Sequence, residues 1–436
     1  MQALFTSIDG GDALRQRVLE LIWEASALAE SRTIDLHIMT FAFTDQQIAD
    51  ELVRAATCHP SLTIRVLADW SQRTPARGQQ VSRLADLGLS NQRVRFKKDQ
   101  PYRWDGVGAK LRWSYRISRG LLHHKTFCVL VDGRPWKLIA GSYNLTRHAA
   151  NSYENLLIVT AEDPESRQLM SRIELEFEAM WSDGRATLSP EEAELHYQAI
   201  TDAYRQDPSI SPTAVVGVGH GIGEPVPILD AECYPSEKSK EYTGNGGENS
   251  NSPEVLIAFS SRRCEQDRGE AGYAEANRIQ RFWLCKPLGK NKHVPLTLTN
   301  LALDTIFRAQ PGDTLHVAMY GLSVRVPEYG ALLDAARRGV RIFLLLDGSV
   351  GAELVGRIAI ARQLESLPIE VRTGCKMMHQ KYIVHLNSHT VLTGTANMTT
   401  DASGRHSEQR ILIRGCPALA GQFLADFQTI WSRLSH

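Results

Sequence analysis

Two series of polar residues recur in this chain in the same order. The first is His123-His124-Lys125, then Gly141-Ser142-Tyr143-Asn144, then Glu154. The second is His379-Gln380-Lys381, then Gly394-Thr395-Ala396-Asn397, then Glu408. A single His-x-Lys pair arises easily by chance; the whole series, repeated between matching flanks, does not. On a strand, residues i and i+2 face the same way. His123 therefore shares a face with Lys125, and His379 with Lys381, while His124 faces the opposite layer. Ser142 with Asn144, and Thr395 with Asn397, are expected to line neighbouring strands in the same manner. Four strands then present two imidazoles, two ammonium groups, two hydroxyls and two amides toward one point. Such a site suits a phosphodiester anion, whose non-bridging oxygens lysine and asparagine can hold. One neutral histidine can attack phosphorus and the other, protonated, can donate to the leaving oxygen. The lysines supply the positive charge, so this chemistry calls for no metal and no cofactor.

The elements that must position these groups also repeat. Leu36-His37-Ile38-Met39-Thr40-Phe41 parallels Leu315-His316-Val317-Ala318-Met319-Tyr320, and each run reads as a strand. A helical stretch follows each. Ile48, Leu52, Ala55 and Ala56 form one apolar stripe with Asp45 placed to cap it, and Leu332, Leu333, Ala335 and Ala336 form the other, with Gly339 as its stop. Two strands ending in Asp69 and Asp347 come next. Both halves close on an amphipathic helix, with Phe177 and Trp181 matching Phe427 and Trp431. These aromatics are expected to pack in the core. Alternating strands and helices of these lengths predict an α/β fold made of two similar α/β sandwich halves, a pseudo-twofold pair with one active site at the interface. Residues 1–205 form the first half and 254–436 the second, which carries an insertion at about 262–295. The linker between them, 206–253, holds six Pro and seven Gly. Its run of alternating glycines, Gly217 to Gly223, lacks the spacing of a dinucleotide fingerprint.

The paired motifs resemble the H-x-K…G-S-x-N signature of the phospholipase D superfamily, over nearly the whole chain outside the linker and the insertion. The resemblance implies a shared site between the repeats and a covalent phosphohistidine intermediate. It implies His123 as nucleophile, His379 as general acid, and Glu154 and Glu408 as the carboxylates that orient the motif histidines. Lys125, Lys381, Asn144 and Asn397 complete the catalytic set, with Ser142 and Thr395 in support. The sequence departs from the family where an Asp usually stands five residues after the Lys: those positions are Leu130 and Leu386. Asp132 keeps strand parity and is expected to substitute in the first half; the second half offers only His385 and Asn387. His37 and His316 are read as structural.

Composition narrows the partners little. Lys plus Arg equals Asp plus Glu at 49 each, so a charged partner must be sought in local clusters. No signal peptide and no stretch approaching the roughly 20 apolar residues of a membrane span is evident. Seven cysteines without C-x-x-C spacing predict reduced thiols and a cytoplasmic protein. Residues 91–120 hold nine basic side chains against two acidic ones, interleaved with aromatics. Arg103, Trp104, Lys110, Arg112, Trp113, Arg116 and Arg119 are the expected substrate-binding residues, since basic groups track phosphates and aromatic rings stack on unpaired bases. The expectation is a nuclease on DNA or RNA, with single strands or ends favoured, acting as a monomer. The alternatives are a phospholipid hydrolase or transphosphatidylase, and a catalytically impaired nucleic-acid-binding protein.

Overall fold

A computed structural model describes residues 1–73, 79–97, 121–183, 187–195, 253–260, 297–349, 352–374, 377–399, 402 and 406–434. The expected substrate-binding residues 103–119, the linker up to 252 and the insertion lie outside them.

Two sheets dominate. The first contains β1 (Gln2–Phe5), β2 (Ile34–Thr40), β3 (Leu62–Asp69), β4 (Gln92–Lys97), β5 (Lys125–Val131), β6 (Arg134–Gly141), β7 (Asn155–Thr160) and β8 (Thr187–Leu188), in the order β1-β7-β6-β5-β2-β3-β4-β8. The second contains β9 (Glu254–Ser260), β10 (Thr314–Met319), β11 (Arg341–Asp347), β12 (Ile369–Gly374), β13 (Lys381–His385), β14 (Thr390–Gly394) and β15 (Glu408–Arg414), in the order β12-β11-β10-β13-β14-β15-β9. Each sheet has three parallel strands, β2-β3-β4 and β10-β11-β12, continued by an antiparallel meander that begins with the motif strand, β5 or β13. The two are one topology repeated.

Helices α1 (Gly11–Leu28), α2 (Gln46–Cys58) and α3 (Gln79–Asp86) cover the outer face of the first sheet, and α5 (Leu298–Arg308), α6 (Pro327–Arg337) and α7 (Ala352–Glu365) that of the second. Helix α2 starts where its sequence dictates: the Asp45 carboxylate accepts the N–H groups of Gln47 and Ile48, and Ile48, Leu52, Ala55 and Ala56 are buried. Helix α6 is followed by Gly339 at φ +93°, a left-handed stop.

The helices that close each half, α4 (Pro164–Trp181) and α8 (Pro417–Arg433), lie in the layer between the sheets. Phe177, Phe423 and Phe427 are buried in one apolar cluster that draws on both halves, with Leu67 and Leu345 from opposite sheets. Each buried phenylalanine contributes about 1.5–3 kcal/mol by area, and here that stabilisation also joins the halves. Each closing helix packs on its own sheet, as its sequence suggests, with Phe177 stacked on His37 and Phe427 against His316, and both helices also join a common core. Polar contacts add to the seam: the Ala3 N–H donates to Gln422, and Ser7 and Tyr382 both donate to the buried Asp426 carboxylate.

Arg95 and Arg372 occupy matching places on β4 and β12. Each guanidinium lies over the closing tryptophan of its half, 5.1 Å from the Trp181 ring and 4.5 Å from that of Trp431, and donates to that residue's carbonyl. Arg95 therefore anchors a helix end, and Lys97 and Phe96 are buried. Arg95 and the core residue Phe96 thus serve the fold, because the basic and aromatic run at 91–120 begins on an interior strand.

Candidate active site

The motif histidines sit two residues ahead of their strands, where backbone from the two halves interlocks. The His123 N–H donates to the Ser407 carbonyl at 2.8 Å, and Ser407 N–H donates back to Leu121 at 2.7 Å. In the mirrored arrangement His379 N–H donates to Tyr153, and Tyr153 N–H to Met377. Asp69 and Asp347, the acids ending β3 and β11, brace the same segments by accepting from Leu122 N–H at 2.8 Å and Met378 N–H at 2.9 Å.

This lacing brings the two imidazoles together, with ring centroids 6.2 Å apart and planes nearly perpendicular. Their carboxylate partners come crosswise. His123 Nδ1 bonds Glu408 of the second half at 2.9 Å, and His379 Nδ1 bonds Glu154 of the first half at 2.9 and 3.0 Å. A carboxylate on Nδ1 fixes that nitrogen as donor and leaves Nε2 as the reactive atom. Each half is incomplete alone, since its histidine takes its orientation from the other.

The lysines reach the same space. Lys125 Nζ donates to the His123 carbonyl at 2.7 Å, and Lys381 Nζ to the carbonyl of His379. Burial pulls Lys125 down to about 7 and Lys381 down to about 8. His123 is held well below the ordinary imidazole value, first by burial and then by Lys125 and Lys381. His379 is lowered too, mainly by burial, but Glu154 opposes the shift. Burial raises Glu408. An aromatic ring walls each side. Phe41 stands 5.1 Å from the His123 ring with Lys125 Nζ 5.5 Å from its centroid, and Tyr320 stands 5.4 Å from His379 with Lys381 Nζ at 5.3 Å. These rings occupy equivalent positions at the ends of the matched sequence runs, and that repeat was the signal that could have singled them out.

The glycine-hydroxyl-x-asparagine segments act differently from their strand-parity reading. Strands β6 and β14 end at the glycine, so Ser142 and Thr395 lie beyond them. Their hydroxyls accept the N–H groups of Asn155 and Gln409, which follow the two glutamates. They fix the glutamate-bearing strands rather than facing an anion. The glycines permit the close approach: a Cβ on Gly141 would stand 2.2 Å from the Asn155 carbonyl oxygen, and one on Gly394, at φ +145°, would stand 2.3 Å from that of Gln409. The Asn397 Oδ1 accepts from Gly321 N–H at 3.1 Å, which leaves its NH2 group as the donor end. The Asn144 Oδ1 is buried with no hydrogen-bond partner among the described residues.

Asp132 does not substitute for the missing acid. It lies in the turn after β5, exposed, at φ +49°, and pairs with Arg32. Strand β5 runs away from the site over its whole length, so parity matches while distance fails. Leu130 is core. His385 pairs with Asp313 and Ser388. His124 bonds the Gln409 side chain at 3.0 Å, in the opposite layer from His123. His37 and His316 stack on Phe177 and Phe343. Glu174 and Glu178 stand near His37, but Arg65 donates to His37 Nε2 and pairs with Glu178, so a guanidinium fills the place a cation would take. Among the described residues, no helix is long and apolar enough to cross a membrane.

Known proteins bear on this arrangement. No curated protein gives a significant sequence match. The fold is similar to that of phosphatidylserine synthase from Haemophilus influenzae Rd KW20, with TM-score 0.59 and 14% identity over 100% of this chain and 87% of that one. The phospholipase D family member Nuc from Salmonella typhimurium matches at TM-score 0.30 and 21% identity, over 42% of this chain and 97% of that one. A family model described as cardiolipin synthase, PLD-like domain, matches residues 25–181 and 303–431, more than half of the chain and one span in each half. The chain belongs to the phospholipase D superfamily and is an enzyme of the phosphodiesterase type.

Proposed function

We propose that the protein is a metal-independent nuclease, acting on DNA or RNA through a phosphohistidine at His123, with His379 as general acid. The observation that carries the chemistry is the crossed clamp: two imidazoles 6.2 Å apart, each held at Nδ1 by a buried carboxylate from the other half. His123, neutral and surrounded by cations, attacks phosphorus through Nε2. His379, beside Glu154, keeps a proton for the departing oxygen. Lys125, Lys381, Asn144 and Asn397 hold the non-bridging oxygens. Water then releases the phosphoryl group with His379 as base. Nucleic acid is favoured as substrate by the basic and aromatic sequence at 98–119, which keeps Arg103, Lys110, Arg112, Arg116 and Arg119 just ahead of His123. Phospholipid transfer is the second reading. It is supported by the description of the matching family model and by the likeness in fold to a phosphatidylserine synthase.

The test is a panel of single- and double-stranded DNA, RNA and phosphatidylcholine vesicles, incubated with chelator. Cleavage of a nucleic acid with intact vesicles supports the first reading; phospholipid turnover alone replaces it with the second. A strict metal requirement contradicts both. Failure to trap phosphate on histidine with any substrate marks a decayed site. Neutralising Arg112, Arg116 and Arg119 together should lower the slope of log affinity against log salt by roughly 2–3, and an unchanged slope removes that segment from the interface.

A further inference from the structure

Each half has a strand that ends in a hydroxyl residue beside its own glutamate. Strand β1 pairs with β7 so that Phe5 faces Asn155, which sets Thr6 opposite Glu154; β9 pairs with β15 so that Ser260 faces Glu408. Both residues are buried, at 6% and 2% exposure. The Thr6 hydroxyl is engaged on both sides: it accepts the Glu154 N–H at 2.9 Å and donates to the Ser152 carbonyl at 2.7 Å. The Thr6 N–H also donates to the Glu154 carbonyl at 3.1 Å. Thr6 thus bridges the segment Ser152-Tyr153-Glu154. That segment serves His379 twice, since the Tyr153 carbonyl accepts its backbone N–H and Glu154 holds its Nδ1. The second half repeats the arrangement. The Ser260 hydroxyl stands 2.9 Å from the His406 carbonyl and 3.1 Å from that of Ala402. The segment His406-Ser407-Glu408 serves His123 twice, through the Ser407 carbonyl and the Glu408 carboxylate. It also sets the His406 ring 6.1 Å from that of His123, with Nδ1 accepting the Leu121 N–H at 3.1 Å.

We propose that Thr6 and Ser260 are positioning residues for the reaction: the Thr6 hydroxyl holds Glu154 on His379, and the Ser260 hydroxyl holds Glu408 on His123. The separate effects expected of the two rest on reading His379 as general acid and His123 as nucleophile. A glutamate side chain turns about several bonds, so its carboxylate stays on an imidazole only where its backbone is fixed. Each hydroxyl fixes that backbone at the residue two before the glutamate, and Thr6 fixes it at the glutamate as well. Valine keeps the shape of Thr6 and removes both bonds. The Glu154 N–H then loses its acceptor and the Ser152 carbonyl its donor, inside a buried segment where neither loss is tolerated without movement.

The experiment compares wild type, Thr6→Val, Thr6→Ser, Ser260→Ala and Glu154→Gln on two diesters. A thymidine dinucleotide has a leaving group that needs a proton; bis(p-nitrophenyl) phosphate has one that does not. Thr6→Val should lose roughly tenfold in kcat/KM on the dinucleotide and less than about threefold on the nitrophenyl ester. Thr6→Ser keeps the hydroxyl and should stay within about twofold of wild type on both. Ser260→Ala should slow both substrates alike. Equal losses on the two substrates in Thr6→Val, or no loss, overturn the proposal. If Thr6→Val does not fold, Thr6→Cys, whose thiol is a weak donor and acceptor, must show the selective loss or the proposal fails. Solvent exchange of the imidazole Nδ1 protons, followed by NMR in histidine-labelled protein, is measured on the same variants. Thr6→Val should speed exchange at His379 by roughly tenfold and leave His123 unchanged, and Ser260→Ala should do the reverse; unchanged exchange at both rings overturns the proposal. If wild type leaves both diesters intact, or Glu154→Gln shows no leaving-group selectivity, the reading of the reaction fails. The exchange rates then still decide whether the two hydroxyls hold the glutamates in place.

Discussion

Glu154→Gln tests the crossed clamp most directly. The substitution keeps the size of the side chain and removes its charge, in the first half, 225 residues before the histidine it orients. His379 Nδ1 lies 2.9 and 3.0 Å from the two carboxylate oxygens, in a buried site. A hydrogen bond to an ionised group contributes about 1.5–3 kcal/mol, or roughly one to two pKa units. Burial already lowers His379 and Glu154 opposes that, so loss of the carboxylate lowers it further. The basic limb of activity, where His379 must remain protonated, should move down by the same one to two units. The effect depends on the leaving group. A thymidine dinucleotide expels an alkoxide that needs a proton, and kcat/KM should drop roughly 10- to 100-fold. A p-nitrophenolate leaves without one, so bis(p-nitrophenyl) phosphate should lose less than about threefold. Glu408→Gln acts on the nucleophile and should slow both substrates alike. Equal losses on both substrates in Glu154→Gln would refute the reasoning, and leaving-group selectivity in Glu408→Gln instead would exchange the two histidines' roles.

The lysines give the apoprotein a pH signature. Lysine titrates near 10.5 when unfolded, whereas folded Lys125 and Lys381 release their protons near 7 and 8. Between pH 7 and 8 the unfolded chain binds more protons, so stability should rise with pH, and Lys125→Met should flatten that slope in urea titrations; an unaltered slope would mean Lys125 is charged in the fold. Gly394→Ala forces a Cβ to 2.3 Å from backbone and should cost more than about 3 kcal/mol, while Gly356→Ala, in helix α7 with open space around it, should be neutral or stabilising by up to ~1 kcal/mol. Comparable denaturation midpoints for the two would contradict the packing at the glutamate strand. Asp347→Ala leaves the buried Met378 N–H without its acceptor and should cost about 1–3 kcal/mol, together with catalytic rate. Asp132→Ala, at an exposed turn, should leave the rate unchanged, and a large loss there would revive it as the missing acid.

What the sequence by itself determined is what operates within one element or repeats along the chain. The Asp45 cap, the Ile48 to Ala56 stripe and the Gly339 stop obey local geometry, and each is where its residues require. The duplicated motifs and their flanks made the twofold architecture legible, because repeated segments bury equivalent faces. Strand parity separated His123 from His124 correctly, although both precede the strand. Parity failed for Asp132 and for the hydroxyls of Ser142 and Thr395, since a period of two carries no information on depth along a strand or on where the strand ends. Only the tertiary structure decided which glutamate serves which histidine, that Arg95 holds a tryptophan instead of facing substrate, and that His406 joins the site. Those contacts span 86 to 285 residues. They arise from how two sheets close on a shared layer of helices, and spacing along the chain does not encode that distance.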